Sequence, residues 1–126
     1  MPSTTTPPPS RCEPLETDES SEPFSSASEA WFWYMACHQA KLDGARVTAG
    51  LARVNRPCEP GDIFRIVSRL YSSHRLSREH LRVMVRFGRT MLPPDPAHPG
   101  LAVQARSWNV GMARLEGELV ARGIVA

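Results

Sequence analysis

The chain has 126 residues and a formal net charge of +2, with 22% charged and 41% hydrophobic side chains. That length holds one domain plus a tail, and no run nears the roughly 18 apolar residues of a membrane span. The start of the chain has no apolar secretory segment. Cys12, Cys37 and Cys58 are odd in number and scattered, which argues against a disulfide framework and for a reducing, cytoplasmic setting.

The small net charge conceals an asymmetry. Residues 1–29 carry Arg11 against six acids, a net of −5, while residues 30–126 carry fourteen basic side chains against seven acids, a net of +7. Thirteen of those fourteen are Arg, with Lys41 alone. A skew of that kind can follow from GC-rich coding, so the clustering of the arginines matters more than the choice of Arg over Lys. A basic domain points to nucleic acid, another polyanion or an acidic protein.

In chain order, residues 1–28 come first. Seventeen of them are Pro, Ser or Thr, and their large apolar side chains are Met1, Leu15 and Phe24. So little apolar surface does not offset the entropy of ordering, and the segment reads as a disordered acidic tail. The foldable domain is then 29–126. A first helix is expected from about Ser28, with Ser25, Ser26 or Ser28 as N-cap and Glu29 near the positive end of the dipole. Trp31, Tyr34, Met35, His38 and Leu42 share one face, while Phe32 and Trp33 point elsewhere. Gly44 is a candidate end. Residues 45–54 place Val47, Leu51 and Val54 at helical spacing, so the helix either resumes or continues there.

Pro57 and Pro60 break the pattern. Pro60 suits the first position of a second helix, to about Ser73, with Glu59 and Asp62 at its start. Ile63, Ile66, Val67 and Leu70 point inward, Arg65 and Arg69 outward. The turn His74-Arg75-Leu76 leads to Ser77, the N-cap of a third helix that Gly88 is expected to close. Four prolines in residues 90–100 indicate an extended, rigid loop. A last helix, from about Leu101 to Arg122, carries Leu101, Ala105, Trp108, Met112, Leu115 and Leu119 within an arc of roughly 80° and stops at Gly123. Nothing alternates with period two, so the expectation is an all-α bundle of four to five helices.

The sharpest motif lies on the third helix. Arg78, Arg82, Arg86 and Arg89 recur at i, i+4, i+8 and i+11 within roughly 80°, opposite Leu81, Val83, Met84 and Phe87. The second and third helices have the lengths and spacing of a helix–turn–helix, although the turn lacks the usual glycine. The likeness is one of shape and points to no family. In such a pair the second helix meets nucleic acid, and Arg reaches phosphates or the edge of guanine. The expected contacts are Arg78, Arg82, Arg86 and Arg89, with Arg65, Arg69 and Arg75 positioning the backbone. A solvated Arg face is the plainer explanation.

Other chemistry finds little support. Cys37, Cys58, His38, His74, His80 and His98 show no metal-ligand spacing, and no metal or cofactor is expected. His38 and His80 read as residues at the edges of apolar faces. No phosphate-cradling glycine loop and no carboxylate pair in an apolar stretch occurs. The sequence reading is a non-enzymatic nucleic-acid-binding regulatory or accessory protein, more DNA than RNA. The alternative is a protein-interaction module that docks an acidic partner through its aromatic first helix or its Arg face. Trp31–Tyr34 form an aromatic run that also offers a surface for homo-oligomer contacts.

Overall fold

The computed structural model describes residues 21–44 and 56–126, and these form four α-helices, one 3₁₀ turn and no strand. The helices are α1 (Ala27–Leu42), α2 (Pro60–Ser72), α3 (Arg78–Thr90) and α4 (Ala102–Ala121), with the 3₁₀ turn at Pro99–Leu101. The helical pattern expected over 45–54 and residues 1–20 of the expected tail lie outside the described residues.

Local chemistry explains the helix starts. The Ser26 hydroxyl accepts the Glu29 N–H at 3.2 Å and caps α1. Pro60 opens α2, where Asp62 Oδ2 accepts the Glu59 N–H at 2.8 Å. Ser77 and His80 exchange hydrogen bonds at the start of α3: each side chain accepts from the other's backbone N–H at 3.1 Å. His80, read as an edge residue, is therefore half of a capping box.

The ends of the helices differ from expectation in one informative place. Gly88 does not close α3, which runs on to Thr90 and is capped by Met91 in the left-handed conformation. Gly88 is buried under α1 instead, where a Cβ would lie 2.8 Å from both Met35 Cγ and Trp31 Nε1. Trp31 Nε1 donates to the Met84 carbonyl at 2.8 Å, so the indole is not free to retreat. The glycine is there for close helix packing. Gly88→Ala should then lose about 1–2 kcal/mol in a urea titration, because overpacking outweighs the gain in helix propensity. Gly117→Ala, which meets nothing within 4 Å in α4, should gain about 0.5–1 kcal/mol. Equal signs would remove the packing argument.

Gly123 ends α4 as expected, at φ +76°. Gly123 N–H donates to the Val120 carbonyl at 3.1 Å and Ile124 N–H to the Leu119 carbonyl at 2.9 Å, a Schellman arrangement that turns Ile124 into the core. The chain past that turn meets the chain before α1. Phe24 N–H donates to the Ile124 carbonyl at 2.9 Å, and Ala126 N–H to the Phe24 carbonyl at 3.0 Å. Phe24 has no exposed surface and Ala27 is buried. The tail boundary expected at residue 28 is therefore corrected: residues 24–28 belong to the domain, whose edge includes Phe24.

Helix α1 packs on α2, α3 and α4 alike, which is why its aromatics point all round it. Trp31 is buried, and Phe32, Trp33 and Tyr34 are partly buried against the core. The α4 stripe is also as expected, with Ala105, Trp108, Met112, Leu115 and Leu119 buried. Helices α2 and α3 are joined by five residues, and each packs chiefly on α1 and α4 rather than on the other. His74 stands in the left-handed conformation where a turn glycine would sit (φ 66°), while Leu76 is buried beneath the turn.

Candidate nucleic-acid interface

Helix α3 is built with two unlike faces. Val83, Met84 and Gly88 are buried, Leu81 and Phe87 are partly buried, and Arg78, Arg82, Arg86 and Arg89 are all exposed. Glu79 is the one acid on the helix, and it pairs with Arg82 at 3.6 Å, both side chains largely in solvent. Such a pair contributes at most about 1 kcal/mol, so it yields readily to a competing anion. The Arg86 guanidinium carbon stands 5.3 Å from the Phe87 ring centroid. Arg78, at the first position of the helix, adds to the positive end of the dipole. From Arg78 to Arg89 the stripe is about 16 Å long.

The other three predicted arginines sit elsewhere. Arg65 and Arg69, on α2, line a cleft of about 180 Å³ with Arg122, the C-cap of α4. Arg65 is ion-paired with Asp62. Arg75 is held at 3.2 Å by Glu118, and its carbonyl accepts from Arg114 Nη1 at 2.6 Å. Glu118 also pairs with Arg122 at 3.5 Å. The seven arginines thus form two sets, four on α3 and three gathered with Arg114 of α4 and its C-cap Arg122. Arg114, Glu118 and Arg122 recur every four residues on the polar side of the last helix, a signal that its clean apolar stripe overshadowed.

Arg56 is structural. Its guanidinium carbon lies 4.3 Å from the Phe24 ring centroid, with Nη1 donating to the Glu22 carbonyl at 3.1 Å and Nη2 3.7 Å from Glu29. Glu29 is held below the usual carboxylate range, first by the Ser25 N–H, then by the Ser25 hydroxyl and Arg56. Asp62 is lowered in the same way, chiefly by the Glu59 N–H and then by Arg65.

The two described thiols are poorly suited to act as nucleophiles. Burial, with Asp62 and Glu59 nearby, pushes Cys58 up to about 11, and burial with Glu59 raises Cys37. Both therefore stay protonated near neutral pH. Among the described residues no three His, Cys, Asp or Glu side chains gather as a metal site, and no helix is long and apolar enough to cross a membrane.

The apolar face of α1 is divided. Trp31 and Met35 are buried, but Tyr34, His38 and Leu42 line an open groove of about 390 Å³ with Phe64, Val67 and Tyr71 of α2 and Leu81, Val85 and Arg89 of α3. Leu42, Phe64 and Tyr71 are 67%, 57% and 42% exposed. The sequence hint was Phe64 and Tyr71, seven residues apart beside the inward stripe of α2. Comparison with protein families, with curated proteins and with solved structures finds no match to this chain.

Proposed function

We propose that this is a non-enzymatic nucleic-acid-binding protein, regulatory or accessory in role, that holds a phosphate backbone along α3. The observation that carries the reading is the exposed row Arg78, Arg82, Arg86 and Arg89, with Glu79 as the one acid on that helix. A stripe of about 16 Å follows several phosphates at about 3.4 Å of rise per strand charge. Arg65 and Arg75 contribute little, because they belong to the other set of arginines and lie outside this row. DNA is the preferred form.

The test is a salt titration with duplex DNA. Four neutralised phosphates give a slope of log K against log salt of about −3.6. Arg82→Ala and Arg86→Ala should each flatten it by about one, with helix content unchanged. Arg65→Ala and Arg75→Ala should leave the slope as it is. Absence of salt-sensitive binding to duplex DNA, single-stranded DNA and RNA at about 50 mM salt would end this reading.

A further inference from the structure

We infer that the groove between α1, α2 and α3 is a docking site for an acidic amphipathic helix of a partner protein, a surface beside the Arg face of α3 with Arg89 common to both. The apolar stripe of α1 does not stop where the core stops. From Trp31 to Leu42 it runs about 16 Å, or three helical turns, with its outer part lining the groove. Phe64 and Tyr71 form one wall and Leu81 and Val85 the other. Leu42, Phe64 and Tyr71 leave much of their apolar surface in water, and such patches on a small domain mark interaction sites. Trp31, Tyr34, Phe64, Tyr71, Met35 and Arg89 among the lining residues are of the types enriched at protein-binding hot spots.

Charge selects the occupant. Among the lining residues Arg89 is charged and no acid is present, and Arg78, Arg82 and Arg86 continue along the same helix. An apolar helix face with carboxylates along its flank satisfies both features, in the helix-in-groove mode. The chain's own segments outside the described residues lack that chemistry. Residues 45–55 carry Arg46 and Arg53 and no acid. Residues 1–20 are acidic but hold five prolines, with Met1 and Leu15 as their large apolar side chains, a composition that does not make an amphipathic helix.

The experiment uses the full chain and fluorescence anisotropy. The probe is a labelled 16-residue peptide with Leu and Phe on one helical face and Glu on the other. Controls are a scrambled peptide and a version with Lys for Glu. The Glu peptide should bind about tenfold or more tightly than either control. Phe64→Ser and Tyr71→Ser, at exposed positions, should each weaken it about tenfold without changing the melting temperature or the salt slope for DNA. Arg89→Glu should shift preference toward the Lys peptide. Equal binding of the scrambled peptide, or indifference to Phe64→Ser and Tyr71→Ser, overturns the inference. So does binding that emerges only after residues 1–20 are removed, which makes the tail the occupant. Sedimentation showing a dimer that Phe64→Ser dissociates overturns it too, in favour of a second copy. A DNA salt slope that Arg82→Ala flattens by about one and Phe64→Ser leaves unchanged separates the two surfaces.

Discussion

Phe24→Ala should lower the unfolding free energy by about 3–5 kcal/mol, the range for emptying a buried phenylalanine site. The ring has no exposed surface. It packs 5.2 Å from the Trp33 ring at 51°, and Arg56 covers its other side at 4.3 Å. The backbone on either side is tied to residues 124–126 by two hydrogen bonds. Removing the side chain therefore opens a cavity where both ends of the domain meet. For a domain of about 100 residues, with a total stability of about 5–10 kcal/mol, that is a large share. Truncation gives an independent reading. A chain starting at Ser21 should keep the urea midpoint of the full chain, while one starting at Glu29 should lose at least as much as Phe24→Ala. An unchanged midpoint for the shorter chain would show that the residues before α1 add nothing to the fold.

Trp108→Ala should cost a similar amount, about 3–5 kcal/mol. Trp108 is 4% exposed at the middle of α4 and stacks on Phe32 of α1, with centroids 5.6 Å apart and planes at 23°. The loss combines transfer of a large apolar surface with a cavity between two helices that cannot close over it. The stacked pair adds a test of mechanism. A double-mutant cycle of Phe32→Leu and Trp108→Leu should return a coupling of about 0.5–1.5 kcal/mol. A loss well under 1 kcal/mol for Trp108→Ala in denaturant would move the α4 stripe from core to surface. Zero coupling would leave the burial in place and remove the stacking.

The helices were legible because their signals are local. Ser77 as N-cap, Pro60 at a helix start, Gly123 at a helix end and the α4 stripe from Ala105 to Leu119 all stand in the structure as the sequence implies. So does the exposure of the four α3 arginines, since they lie opposite a buried face. Other features depended on distant partners. Phe24 sits in a Pro- and Ser-rich stretch whose average composition argues for disorder, yet one aromatic ring with a waiting site is enough to anchor it. Gly88 follows an apolar face and precedes Arg89, the local pattern of a helix end. Its role comes from Trp31 and Met35, more than fifty residues earlier.

What the sequence determined by itself is the four described helices, most of their ends and the division of each into an apolar and a polar side, because these depend on residues a few positions apart. It also determined that α3 presents a basic face, since periodicity alone puts Arg78, Arg82, Arg86 and Arg89 together. The tertiary structure alone decided which apolar faces are covered. Val67 and Leu70 are buried while Phe64 and Tyr71, on the same helix, border an open groove. It also decided which charges keep company, drawing Arg75 to Glu118 across 43 residues while the α3 stripe stayed in solvent. Periodicity reports which side chains share a face. Whether that face meets a helix, an opposite charge or water depends on where the chain returns, and short-range spacing carries no record of that return.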